Sequence, residues 1–253
     1  MPRLFSFLLF LALALGQRLG VVGDWGAATP GRAQVAALLQ KEHARSPLTA
    51  LLTVGDNFYP KGAIVEAYLK ELPPVSLYPA FGNHDAPNLP AQLSRFRLER
   101  PFYRVRFGDL EVFVLYTEEG LAGQRRWLEE ALQASTAPWK ALVLHRPLYS
   151  SGLHGGSPTL RSLLEPLLLR HGVALVLAGH DHHYERLKVG SITHLVLGGG
   201  GASLYPTKPP LPLTQALKVA HHAFFLEVGP GTLEAYALDL EGRVLDRFTL
   251  KRP

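Results

Sequence analysis

Apolar and polar positions along this chain change their period several times, and the changes mark out its elements. Residues 19–22, 50–54, 75–78, 141–144 and 173–177 are short runs dominated by Val, Leu and Ala. Runs of that kind suit strands covered on both faces, as in a largely parallel sheet. Between them the spacing becomes helical. Val35, Leu38 and Leu39 share a face over residues 32–44, and Leu121, Leu128 and Leu132 share one over 121–134. Further helical stretches fall at 64–69, 91–98 and 159–171, the last opened by Ser157-Pro158 as N-cap and first turn. Residues 103–107 and 111–116 alternate and meet through Gly108-Asp109, which predicts a hairpin. From residue 184 onward the pattern is all-β, with strands at 184–189, 192–197, 224–228, 233–240 and 244–250 and a Gly- and Pro-rich loop over 198–212. Parallel α/β units followed by a meander predict a mixed α/β fold: two mixed sheets packed together with helices outside, a four-layer α-β-β-α sandwich in a single domain over residues 17–253.

Composition narrows the function classes. At 253 residues and 47% hydrophobic content the chain can bury a large core, and its 19% charged residues form no long polar tract. The formal charge of +5 is scattered, able to draw anionic substrates but lacking the basic stripe with interleaved aromatics of a nucleic-acid binder. The absence of cysteine excludes disulfides, thiolate zinc sites and thiol nucleophiles. Met1-Pro-Arg3 followed by apolar residues 4–15 reads as a signal peptide over residues 1–16, cleaved after Ala14 or Gly16. That run falls short of the roughly 20 residues needed to span a bilayer. The expectation is therefore an exported protein, periplasmic or extracellular, with no stable membrane anchor after cleavage.

The chemistry gathers where the apolar runs stop. Their ends carry Gly23-Asp24, Gly55-Asp56-Asn57, Gly82-Asn83-His84-Asp85, His145, and Gly179-His180-Asp181-His182. Each block alone has an ordinary explanation. A Gly-Asp pair after a strand is a turn, and Tyr59 by itself is packing. Together, each offering oxygen or imidazole at a strand's carboxyl end, they read as a two-metal phosphoesterase site.

In that order the blocks resemble the signature of calcineurin-like metallophosphoesterases, over essentially the whole mature chain. Gly-Asp24-Trp25-Gly lacks a histidine two places after the aspartate, and Gly-Asp56-Asn57-Phe58-Tyr59 sets a tyrosine three places after Asp56. That pairing resembles the small, tartrate-resistant type of purple acid phosphatase, in which tyrosinate replaces the missing histidine. The resemblance implies a first metal held by Asp24, Asp56, Tyr59 and His182, and a second by Asp56, Asn83, His145 and His180, with Asp56 bridging. Phenolate and carboxylates suit Fe(III), and imidazoles with an amide oxygen suit divalent Fe, Zn or Mn. It further implies attack of a metal-bound hydroxide on phosphorus, His84 as proton donor oriented by Asp85, and His154 on the substrate side.

The leading expectation is hydrolysis of small phosphate monoesters. Its rivals are a phosphodiesterase or nucleotide hydrolase of the same superfamily, and a phosphate- or metal-binding protein without turnover. Gly198–Gly201 lacks the Lys-Ser/Thr and following helix of a nucleotide loop. His183 and His194 read as structural or exposed, and His221 and His222, ahead of a strand, could border the site. A monomer is expected.

Overall fold

A computed structural model describes residues 16–229 and 231–252; the signal-peptide reading, apart from its Gly16 boundary, lies outside them. The chain enters directly on β1 (Gln17–Val22), then α1 (Pro30–Arg45), β2 (Ala50–Val54), α2 (Glu66–Glu71), β3 (Ser76–Ala80) and α3 (Leu89–Phe96). It continues through β4 (Tyr103–Phe107), β5 (Leu110–Val114), α4 (Leu121–Ala134), β6 (Trp139–Val143), α5 (Pro158–Arg170) and β7 (Leu175–Ala178). The remainder is β8 (Tyr184–Val189), β9 (Ile192–Leu197), β10 (Thr214–Lys218), β11 (His222–Gly229), β12 (Thr232–Asp239) and β13 (Val244–Lys251). Helix starts follow local chemistry. Thr29 caps α1 by accepting from Arg32 N–H at 3.2 Å, and Ser157 caps α5 by accepting from Leu160 N–H at 3.2 Å.

The strands form two mixed sheets, ordered β13-β12-β11-β1-β2-β3 and β10-β8-β9-β7-β6-β5-β4. Within them β1-β2-β3 and β5-β6-β7-β9 are parallel, and the remaining pairings are antiparallel. Leu19, Val21, Leu52 and Val54 of the first sheet meet Val112, Val114, Val143 and Leu195 of the second in a fully buried central core. Intervening residues face outward but are covered too. Leu51 and Phe225 pack on Val35, Leu38 and Leu39 of α1, and Leu142 and Val176 pack on Leu128, Leu132, Leu164 and Leu168 of α4 and α5. This double covering is why the central strands read as unbroken apolar runs rather than alternating ones. The layering is the expected α-β-β-α sandwich.

At the open edge Asp246 of β13 joins the sheets, accepting from Arg186 Nε at 2.6 Å and from Tyr184 Oη at 2.8 Å, both on β8. One strand was not expected, and the ends of several other elements shift by up to two residues. β10 was not predicted: it is an edge strand paired only with β8, only partly buried, so burial imposes no clear period on it. α3 lies two residues ahead of the expected stretch, and Arg97, with a left-handed φ of 56°, closes it. Among the described residues no helix is long and apolar enough to cross a membrane.

Candidate metal centre

Both sheets deliver their parallel strands to one end of the sandwich. Asp24, Asp56, His145 and His180 each stand two residues past the last residue of β1, β2, β6 and β7, and Asn83 stands three past β3. The loops interlock there. Asp24 N–H donates to the Gly55 carbonyl at 3.0 Å, Gly179 N–H to the His145 carbonyl at 3.0 Å, and His180 N–H to Asp24 Oδ2 at 3.0 Å. Asp24 (φ 55°), Asp56 (φ 53°) and His180 (φ 73°) all sit in the left-handed region. For residues other than glycine this costs about 1–3 kcal/mol each and clusters at functional sites. Glycine is needed beside them. A Cβ on Gly82 would run into Asp56 Oδ1 and the His145 ring, and one on Gly179 would come within 2.5 Å of Asp24 Oδ2.

The seven expected ligands converge. Tyr59 Oη donates to Asp56 Oδ2 at 3.0 Å and lies 3.2 Å from Asp24 Oδ1 and 3.3 Å from His182 Nε2. His182 Nε2 is also 3.4 Å from Asp24 Oδ1. On the far side of Asp56, His145 Nε2 lies 3.4 Å from Asp56 Oδ2, 3.2 Å from Asn83 Oδ1 and 3.2 Å from His180 Nδ1. Asp56 thus touches both groups. Two of the imidazoles are aimed from behind: His145 Nδ1–H donates to the Val54 carbonyl at 2.9 Å, and His182 Nδ1–H to the Ser203 carbonyl at 2.7 Å. That fixes each ring with Nε2 turned inward, the arrangement by which proteins orient metal-binding histidines.

The electrostatics indicate what the cluster is suited to hold. Burial alone would lower the His145 pKa, but Asp56 and Asp24 raise it well above the ordinary imidazole value. Burial likewise opposes the Asp56 charge, yet His145 and the His84 N–H hold that carboxyl below the usual range. Burial followed by Asp24 and Asp56 pushes the Tyr59 phenol far up. Asp24, Asp56 and His145 are buried together, with one potential ligand atom from each lying within 4.8 Å of the others. Buried carboxylates so crowded call for compensating positive charge, and the inward atoms are carboxylate, phenol and amide oxygens plus imidazole nitrogens. The donor set fits a pair of cations.

The residues expected around the ligands fall less uniformly. The His84 ring lies tilted against Tyr59 at 4.2 Å between centroids, and its Nε2 is 4.0 Å from Asp56 Oδ2. Its orientation corrects one expectation. His84 Nδ1–H donates to the Pro60 carbonyl at 2.7 Å, and Asp85 is engaged elsewhere. Asp85 is fully buried and accepts from the N–H groups of Asn57 at 2.9 Å, Phe58 at 3.2 Å and Gly82 at 2.9 Å, and from Gln92 Nε2 at 2.9 Å. Asp85 therefore fastens the Asp56 loop to the Asn83 loop and does not orient the His84 ring. Burial, then Asp56, pushes its pKa up to about 6 against those donors.

His154 lies beside the cluster, its ring 4.5 Å from that of His180. Sequence reasoning missed what holds it there. Asp181 is fully buried and accepts from His154 N–H at 2.9 Å, Gly155 N–H at 3.1 Å and Ser150 Oγ at 2.6 Å. Glu185, also fully buried, accepts from Ser151 N–H at 2.7 Å and from His183 Nε2 at 3.1 Å. The only sequence signal for Asp181 was its place between two histidines. His183, His194 and His222 are buried, and His221 borders the glycine loop through Gly199.

Residues 17–184 match the family model for calcineurin-like phosphoesterase. The chain is 26% identical over 241 residues to tartrate-resistant acid phosphatase type 5 of Oryctolagus cuniculus, covering 75% of this chain and 74% of that protein. It is 26% identical over 226 residues to purple acid phosphatase 4 of Arabidopsis thaliana, covering 71% and 67%. The purple acid phosphatase from yellow lupin (Lupinus luteus) seeds has the same fold, with a TM-score of 0.85 and 22% identity over 94% of this chain and 54% of that one. With the family match spanning more than half of its length, the chain belongs to the calcineurin-like phosphoesterase family and is a metal-dependent phosphoric ester hydrolase.

Proposed function

We propose that the protein hydrolyses phosphate monoesters at a dinuclear centre of the purple acid phosphatase type. The observation that carries this reading is the position of Tyr59, whose oxygen lies within 3.3 Å of Asp24, Asp56 and His182 where the first block has no histidine of its own. Asp24, Asp56, Tyr59 and His182 would hold the first ion; Asp56, Asn83, His145 and His180 would hold the second. Phenolate and carboxylates favour Fe(III) in the first set, and the second set suits divalent Fe, Zn or Mn. Bound there, the cations would supply Lewis acidity, an activated water and neutralisation of phosphoryl charge.

The chain's own groups do the remaining work. His84 has Nδ1 committed to the Pro60 carbonyl, which leaves Nε2 to carry a proton to the departing alkoxide. Asp85 keeps the Asp56 and Asn83 loops in register, and Asp181 keeps His154 against His180 at the substrate's edge. The test is purified protein assayed on p-nitrophenyl phosphate and on bis(p-nitrophenyl) phosphate, with metal analysis of the same sample. Turnover of the diester alone would overturn the monoesterase reading.

A further inference from the structure

One charged group at the mouth of the site has no part in the donor cluster. Arg146 follows His145 directly, and its side chain is 39% exposed. Glu118, with a side chain 13% exposed, grips it: Nε donates to Oε1 at 3.0 Å and Nη2 to Oε2 at 2.8 Å. The Arg146 N–H is tied as well, donating to Thr117 Oγ1 at 3.2 Å. Nη1 lies 3.0 Å from His180 Nε2, while Nδ1 of the same ring faces His145 at 3.2 Å. His180, itself one of the seven expected ligands, therefore stands between the guanidinium and the rest of the cluster. Among the described residues Nη1 meets only His180, so its second N–H has no acceptor there.

We propose that Arg146 is the residue by which this site prefers phosphate monoesters to diesters, its free Nη1 N–H binding a terminal oxygen that only the monoester has. The inference rests on the monoesterase reading and deepens it. A monoester has one more terminal oxygen and one more negative charge than a diester. A guanidinium held by a carboxylate is positioned before the substrate arrives, so little reorganisation is needed when it donates to a phosphoryl oxygen. A diester turns an esterified oxygen toward the same N–H, a poor acceptor with a substituent in the way. Leaving a prepared donor unpaired is how polar sites reject analogues. Lysine would not reproduce the fork that Glu118 holds.

The experiment compares metal-loaded wild type with Arg146→Met, Arg146→Lys and Glu118→Gln on p-nitrophenyl phosphate and bis(p-nitrophenyl) phosphate. Metal content is measured on each, and binding of inorganic phosphate is followed by calorimetry. Arg146→Met should lower monoester kcat/KM by about 100-fold and diester kcat/KM by less than about 5-fold, the loss expected for one preorganised donor. Phosphate Kd should rise by at least about 10-fold. Metal content should not change, and Arg146→Lys should fall between. Glu118→Gln should have the smaller effect; a larger one would assign the discrimination to the carboxylate and overturn the proposal. So would an equal fall on both substrates, or a fall traced to lost metal, since either would leave Arg146 as a brace for His180. A wild type without monoester turnover would sink the preceding reading instead, and phosphate binding would then decide the role of Arg146 on its own.

Discussion

His194 makes this fold vulnerable to acid, and the size of the effect follows from its surroundings. It lies on β9, 2% exposed, with neither ring nitrogen hydrogen-bonded among the described residues and the Tyr149 ring 5.1 Å away. Burial, and then the nearby Lys188 charge, lowers its pKa to about 4. In the unfolded chain it titrates near the reference value of about 6.5. As pH falls below that value the unfolded state takes up a proton that the folded state refuses, so stability declines until the folded pKa is reached. The slope is about 1.4 kcal/mol per pH unit, which amounts to about 2.5 kcal/mol at pH 4.5. His194→Met removes the titration and fills similar space without the unpaired nitrogens. Urea melts of wild type and variant at several pH values between 4.5 and 7.5 read the difference. The variant should gain about 2.5 kcal/mol relative to wild type on going from pH 7.5 to 4.5, with m unchanged. Parallel stability curves would refute the reasoning. His222, fully buried and also lowered to about 4 by burial, should add a similar acid loss. Any acid optimum in activity must therefore be separated from unfolding.

Asp56→Asn removes the carboxylate whose Oδ2 lies against both Tyr59 and His145, and hydrolysis should drop by about 1000-fold or more, with metal content falling alongside; retained turnover would contradict the assigned centre. Tyr59→Phe should abolish the visible charge-transfer absorption expected of an iron–phenolate pair, and a colourless wild type with full activity would remove iron from the first site. His84→Gln should cost at least about 100-fold on an alkyl phosphate and much less on p-nitrophenyl phosphate, whose leaving group needs no proton. Equal losses on both would mean that His84 binds substrate rather than donating. Arg18→Met should destabilise by about 3–5 kcal/mol in a denaturant melt, because it strips Glu42 of a partner 2.7 Å away in a buried pair; a loss below 1 kcal/mol would show the pair to be idle.

What could be read from the sequence was whatever local period and residue type encode. Both-face burial turns β1, β2, β6 and β7 into apolar runs, and a polar residue two places beyond each run is conspicuous. Tyr59 alone reads as packing; only the family resemblance, which sets a tyrosine three places after Asp56, made it legible as a ligand. Contacts between remote segments were not. Asp85 sits beside His84 in sequence, which suggested that it orients the ring, but folding turns it toward Asn57 and Phe58. Asp181 and Glu185 reach back about thirty residues to fix the His154 loop, a distance that no periodicity spans. The left-handed backbone at Asp24, Asp56 and His180 left no trace either, because it is imposed by neighbouring loops and not by the residue's own preference.

The division of donors between the sheets explains why five scattered blocks yield one centre. Asp24, Asp56, Tyr59 and Asn83, all oxygen donors, follow strands of the first sheet, whereas His145, His180 and His182, all nitrogen donors, follow strands of the second. The centre therefore exists only where the two sheets meet, and Asp56 reaches across that seam to His145. Packing of the apolar core fixes the distance between the two sets before any cation arrives, since close-packed interiors transmit displacement and do not absorb it. Preorganisation of this kind places the strain in the three left-handed turns, where the crossing Asp24–His180 contact holds it, while His84, His154 and Arg146 around the centre are each fixed by a partner of their own, Pro60, Asp181 and Glu118.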